Sequence, residues 1–243
     1  MIEFQGLAKG YGEFNAVQPL TLTVRRGEVF GFLGPNGAGK TTTIRMMMGI
    51  LVPSAGRVLI DGLDCHADAA AVKQRVGYLP DTPVFYDYLR GREILQFVAE
   101  MHGYPRADAT QRSARLLAEF GLTEAAEDYA VNYSLGMKKR LGLACALIHE
   151  PSVLILDEPI NGLDPRASRE VQERLLAAAA QGTTIFVSTH LLDMAQKLCD
   201  RVGIIHRGQL VATGSLDEIR AEASAASATL EEVFLKITDE NAA

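Results

Sequence analysis

In the opening third of the chain, hydrophobic and polar residues alternate. Leu20, Leu22 and Val24 fall on one face of an extended segment, the period of a strand with one side buried. Arg25, Arg26 and Gly27 turn the chain, and "EVFGFLG" then runs as a buried strand into a glycine loop. The spacing of Ile44, Met47 and Met48 predicts a helix from Thr41, with the run Met46, Met47, Met48 filling core. "GRVLIDG" and "QRVGYLP" read as two further strands. From Tyr86 to about Leu147 the period becomes helical. "REILQFVAEMHG" and "ADATQRSARLLAEFGL" carry apolar residues three and four apart, and each closes at a glycine. Strand signals return in "PSVLILDEP", "GTTIFVST" and "RVGIIHRGQLVATG", with helices between them. Continuous apolar strands suit a sheet covered on both faces. The pattern therefore predicts an α/β core over residues 1–220 with a helical subdomain inserted at about 85–150. Residues 221–243 read as an Ala/Ser connector and a short C-terminal helix, whose stripe of Leu230, Val233, Phe234 and Ile237 docks on the chain's own core.

Composition narrows this picture a little. With 243 residues, 48% hydrophobic and 22% charged, the chain can bury one large core. A net charge of -6 argues against nucleic acid as a partner, because a phosphate backbone demands a basic surface. Cys65, Cys145 and Cys199 are scattered and odd in number, so they read as small buried hydrophobes of a reducing compartment. "MIEFQGLAKGYGEF" has no apolar run of a leader peptide. The longest uncharged stretch, Leu175 to Leu192, is broken by Gln181, Gly182, Thr183, Thr184, Ser188, Thr189 and His190. Any membrane part is expected from another chain.

The chemistry begins at "GPNGAGKTT", which matches G-x-x-x-x-G-K-[ST] between a strand and a helix. In the loop of Gly34, Pro35, Asn36, Gly37, Ala38 and Gly39 the glycines let successive N–H groups curl around phosphates, and the helix start at Lys40, Thr41 and Thr42 adds its dipole. Lys40 supplies a mobile charge, and the Thr41 hydroxyl is a natural Mg²⁺ ligand. "VLILDEP" buries four apolar residues and delivers Asp157 and Glu158 at its end. Asp157 is expected to hold Mg²⁺, and Glu158 to orient or deprotonate the attacking water. No N-K-x-D guanine reader and no lid-like Arg cluster is present. One feature stands apart. In "VNYSLGMKKRLGLA" a Ser-Leu-Gly turn is followed at once by Lys138, Lys139 and Arg140, and a helix dipole disfavours cations in its first turn.

Taken in order, "GPNGAGKTT", "YSLGM", "VLILDEP", "NGLDP" and "STH" resemble the ATP-binding cassette (ABC) ATPase family, over nearly the whole chain. The resemblance implies a P-loop NTPase α/β fold, a RecA-like core with an antiparallel β subdomain and the helical insertion. It implies ATP and Mg²⁺ as ligands, and a head-to-tail dimer with a second copy or a homologous cassette. In such a dimer Ser134 and the Gly136 N–H would meet the γ-phosphate held by the other subunit. Leu135 and Met137 replace a glycine and a glutamine of the usual signature, and backbone donors survive at Leu135 only if its φ is negative. Tyr11 matches the aromatic that stacks on adenine, His190 the switch histidine, and Asp164 the loop joining the two sites. Asp81 stands where the family has glutamine, and would offer Mg²⁺ a harder, charged oxygen on a shorter arm. The resemblance further implies an integral membrane permease as partner, a peripheral position on the cytoplasmic face, and export, with substrate choice left to the permease. An ATP-gated, non-transport ATPase acting on a membrane partner is the alternative.

Overall fold

The structure, a computed structural model, describes residues 1–222 together with Glu232 and Phe234. Strands β1 (Ile2–Tyr11) and β2 (Phe14–Val24) form a long antiparallel hairpin. With β4 (Ala55–Ile60) and β5 (Leu63–Asp64) they make a four-stranded antiparallel sheet in the order β2-β1-β4-β5. Leu20, Leu22 and Val24 are buried together, on the face their alternation predicts.

The second sheet has six strands. β3 (Val29–Leu33), β6 (Val76–Leu79), β7 (Val153–Asp157), β8 (Thr184–Thr189) and β9 (Arg201–His206) run parallel, and β10 (Gln209–Gly214) closes one edge antiparallel. The order is β10-β9-β3-β8-β7-β6. Every residue of β3, β7 and β8 is buried, as continuous apolar runs require when both faces are covered. Phe186 of β8 ties the two sheets. Its ring lies 5.9 Å from Phe4 and Phe30 and 5.4 Å from Phe32, and Phe4 belongs to β1. The segment read as one strand signal, 201–214, is a hairpin. Arg207 and Gly208 take φ of 46° and 78°, the left-handed pair that a two-residue turn between twisted strands needs.

Helix α1 (Lys40–Met47) buries Met46 and Met47 completely, and Met48 nearly so. A short α2 (Ala69–Lys73) precedes β6. Between β6 and β7 come α3 (Gly91–Met101), α4 (Arg106–Glu119) and α5 (Leu135–Leu147). Leu95, Leu117 and Leu141 of these helices share one core with Leu156 and Val187 of the sheet, so the helices are packed onto it rather than tethered beside it. The closest approach is at Gly77 of β6, where an added Cβ would lie 2.1 Å from the Ala146 carbonyl oxygen of α5. Helices α6 (Pro165–Ala180), α7 (Leu192–Leu198) and α8 (Leu216–Glu222) complete the described elements. Leu230, Val233 and Ile237 of the expected C-terminal stripe lie outside the described residues. Phe234 packs against the small cluster of Leu33, Ala195, Val202, Ile204 and Ile219. The three cysteines are free, and burial pushes each thiol up to about 12. Among the described residues no helix is long and apolar enough to cross a membrane.

His102, just past α3, stacks on His149, just past α5, with centroids 3.8 Å apart and rings 7° from parallel. His149 Nε2 meets the Val76 carbonyl at 3.2 Å. Burial, helped by the neighbouring imidazole, pushes the His149 pKa down to about 4.

Two expectations follow from this packing. Gly77→Ala forces α5 away from β6 and is expected to cost about 1–3 kcal/mol in urea unfolding, the usual range for overpacking. His149 binds a proton below about 4 when folded but below 6.5 when unfolded, so the unfolded chain takes up more protons in that window. Stability should therefore fall as pH drops from 6.5 towards 4, and His149→Gln should flatten that fall in denaturation curves recorded across the same range.

Candidate functional site

Three glycines build the loop after β3, each for its own reason. A Cβ on Gly34 would lie 2.4 Å from the Ile205 carbonyl oxygen of β9, and one on Gly39 would lie 2.6 Å from that of Ala16 in β2. Gly37 meets nothing within 4 Å but has φ of 80°, a left-handed conformation that only glycine takes freely. The loop is thus pressed against both sheets and delivers the start of α1. No acidic residue stands in the first turn of α1, so its leading N–H groups and dipole are left for a ligand.

Lys40 is only 6% exposed. Its Nζ donates to the carbonyls of Gly34 at 2.7 Å and Pro35 at 3.2 Å, and stands 3.6 Å from Glu158 Oε1. Thr41 Oγ1 donates to Asp157 Oδ2 at 3.0 Å, and Ser188 Oγ donates to the other carboxylate oxygen. Glu158 follows β7 with φ of 48°, and its N–H donates to the Ser188 carbonyl at 3.1 Å. His190 Nδ1 lies 2.9 Å from Glu158 Oε1. The second carboxylate oxygen, Oε2, is buried and has no hydrogen-bond partner. That is costly in an otherwise satisfied site, and it marks the atom as waiting for a donor.

These groups line one pocket of about 580 Å³. Its lining combines Tyr11, Phe14 and Ala16 of the β1–β2 hairpin, Asn36, Gly37, Gly39, Lys40, Thr41 and Thr42 of the loop and α1, and Asp81, Asp157, Glu158, Asn161 and His190. Exposed aromatic rings beside a lysine and a free helix start suit a ligand that carries both a flat ring and anionic groups. Gly34, Pro35 and Ala38 stand behind the wall, the first two as acceptors for Lys40 and Ala38 as buried packing. Phe14, Ala16 and Asn161 are additions that sequence reasoning did not single out. Phe14 pairs across the hairpin with Tyr11, a juxtaposition that the two-residue turn Gly12-Glu13 makes readable once the hairpin is recognised.

Ser134 and Gly136 are not brought to this pocket. Ser134 caps α5, its Oγ accepting the Met137 N–H at 3.2 Å, and it is exposed. Leu135 opens the helix and is not among the residues with positive φ, so the leucine costs no backbone strain. Asp164 caps α6 through the N–H groups of Arg166 and Ala167, both at 2.9 Å. The three basic residues after the signature turn do not form one surface cluster. Lys139 is 1% exposed and donates to the Glu158 carbonyl, while Arg140 donates to the Phe120 carbonyl at 3.1 Å. Lys138 is half-buried beside an apolar cleft under Val84 and Phe85. Asp81 lies 3.6 Å from Lys139 Nζ.

The donor set fits a small hard cation. Among the described residues no three His, Cys, Asp or Glu side chains converge to form a cage. Thr41 and Asp157 present hard oxygens beside the free helix start. Mg²⁺ is held in this manner, by one or two protein oxygens with the rest of its shell from phosphates and water.

A family model described as "ABC transporter" matches residues 17–161. The chain is 37% identical to the probable multidrug ABC transporter ATP-binding protein YbhF of Escherichia coli (strain K12), over 98% of this chain and 41% of that one. It is 40% identical to the daunorubicin resistance ATP-binding protein DrrA3 of Streptomyces coeruleorubidus, over 91% of this chain and 70% of that one. The chain thus spans less than half the length of the first relative. The solved structure of an ATP-binding subunit of an ABC transporter superposes with a TM-score of 0.91 at 35% identity, covering 98% of this chain and 99% of the other.

Proposed function

The chain belongs to the ABC transporter ATP-binding family, and from that premise we propose that it binds and hydrolyses ATP to drive a separate membrane permease. The observation that carries the reading is the unpartnered Glu158 Oε2, set in one pocket with Lys40 and the bare start of α1. Tyr11 and Phe14 take the adenine ring, and such stacking contributes about 1–3 kcal/mol per base. The first N–H groups of α1 take the phosphates. Lys40 exchanges the carbonyls of Gly34 and Pro35 for phosphate oxygens, an exchange its long stem permits.

Mg²⁺, when bound, neutralises charge on the β- and γ-phosphate oxygens. Thr41 and Asp157 would hold it, and Asp81 is the further oxygen donor we assign to it. Glu158 Oε2 takes a proton from water as the water oxygen bonds to the γ-phosphorus and the bond to the ADP oxygen breaks. His190 keeps the other carboxylate oxygen in place, which fixes the direction in which Oε2 faces.

Ser134, Gly136 and the start of α5 serve ATP held by a second copy or a homologous cassette, in a head-to-tail pair. Their absence from the chain's own pocket supports this, as does the lack of acidic residues in the first turn of α5. The exposed side chains Val84, Tyr86 and Tyr88, in the loop between Asp81 and α3, suit a permease as partner. Docked there, the chain would sit peripherally on the cytoplasmic face of the membrane. The relatives' names, which speak of multidrug transport and daunorubicin resistance, support export as the direction.

Glu158→Gln tests the reading. The variant should bind Mg-ATP as the wild type does, gather as an ATP-bound dimer in size exclusion, and lose about 10²–10⁴-fold in phosphate release, the usual contribution of a general base. Full turnover by Glu158→Gln would remove the residue from that role.

A further inference from the structure

Lys139 lies in the second turn of α5 and is almost wholly buried, whereas the lysine and arginine on either side of it, Lys138 and Arg140, are partly exposed. A buried ammonium is costly unless it is paired and hydrogen-bonded. Its partners come from two other elements. Nζ donates to the main-chain oxygen of Glu158 at 2.6 Å and stands 3.6 Å from Asp81 Oδ1, in the loop after β6. Burial pushes the Lys139 pKa down while Asp81, Glu158 and Asp157 push it back up.

The residue it grips is under backbone strain. Glu158 holds φ of 48°, a conformation rare for side chains other than glycine, asparagine and aspartate, and one that persists only where the surroundings over-determine it. Five contacts do so. The Ser188 carbonyl accepts its N–H, the Asn161 N–H and Lys139 Nζ both donate to its carbonyl, and His190 and Lys40 meet its Oε1. Those of Ser188, Asn161 and Lys139 act on the backbone, the first on one side of the strained residue and the other two on the far side. Without Lys139 the peptide leading to Pro159 keeps only the longer bond from the Asn161 N–H, at 3.2 Å against 2.6 Å, and the aim of Oε2 shifts as that hold loosens.

We propose that Lys139 is a positioning residue for Glu158: it clamps the left-handed turn after β7, and through Asp81 it ties the β6 loop and the signature helix to that carboxylate. The inference rests on the reading of Glu158 as the general base. It accounts for a lysine where a solvated cation would have cost nothing, and for a carboxylate at position 81 beside it. Asp81 is about half exposed, so water can solvate it when the lysine is absent.

Lys139→Met and Lys139→Gln separate positioning from simple packing. Methionine keeps the unbranched stem and deletes the ammonium, while glutamine keeps an N–H donor for the Glu158 carbonyl. Misplacing a reacting group by ~1 Å costs up to about 100-fold, so kcat of Lys139→Met should fall about tenfold or more. Its KM and its affinity for ATP should stay within about threefold of wild type, and its Tm should change little, because the carboxylate paired with Lys139 is half exposed and water replaces the ammonium. Lys139→Gln should lie between, about threefold below wild type in kcat. Should Lys139→Met not fold, Lys139→Gln alone decides: reduced kcat with ATP affinity retained supports the proposal, and wild-type kcat overturns it. Wild-type kcat in Lys139→Met overturns it as well, and so does a loss of kcat matched by equal losses in ATP affinity and Tm. A wild-type chain that does not hydrolyse ATP contradicts the functional reading itself, whereas an active wild type indifferent to Lys139 contradicts only this inference.

Discussion

Two ammonium groups and two carboxylates, none more than 7% exposed, have to balance one another at the ends of β3 and β7: Lys40, Lys139, Asp157 and Glu158. Charges taken out of water in this way are tolerated only with partners on every side. Each partner here comes from a different element. The loop before α1 supplies two carbonyls, β8 supplies the Ser188 hydroxyl and carbonyl, and α5 supplies Lys139. The sheet order β9-β3-β8-β7 puts β8 between the strands that carry the loop and the carboxylates, so one residue, Ser188, touches both Asp157 and Glu158. Fold and site are for that reason one problem. A shift in any of these elements leaves a buried charge without a counterpart.

The balance is incomplete in one direction, towards the pocket. Lys40 is turned back onto its own loop, Glu158 Oε2 has no partner, and the first turn of α1 carries no acidic residue of its own. A polyanion carrying a cation would answer the first and the third, and a water molecule donating to Oε2 the second. On the proposed reading, hydrolysis needs little further movement of the carboxylate, because backbone strain at Glu158 has already been absorbed by its contacts.

Much of this was legible in the sequence, for a physical reason. Fully buried strands must be apolar throughout, and a phosphate loop must be glycine-rich where backbone approaches backbone, so β3, β7, β8 and the Gly34–Gly39 loop announce themselves. What escaped depends on partners distant in sequence. Lys138 and Lys139 are indistinguishable by type, and only helix phase against a carbonyl 19 residues away decides which is buried. Phe14 becomes part of the pocket only through its cross-strand pairing with Tyr11. In the 201–214 segment Gly208 hints at a turn, but Arg207 gives no sign of its left-handed φ. Asp81 sits beside the pocket as expected, yet its contact is with Lys139, which no local pattern shows.

The central claim is that a working site takes its α1 from one chain and its signature turn from another. Complementation between two inactive variants tests it most directly. Lys40→Ala removes the phosphate lysine, Ser134→Arg blocks the turn, and each homodimer then has no intact site. In a heterodimer one site keeps both Lys40 and Ser134. Mixing the two variants is expected to restore part of the ATPase activity that neither shows alone. A mixture no more active than the sum of its parts, together with a wild-type rate per chain that stays constant on dilution to the monomer, would contradict the account.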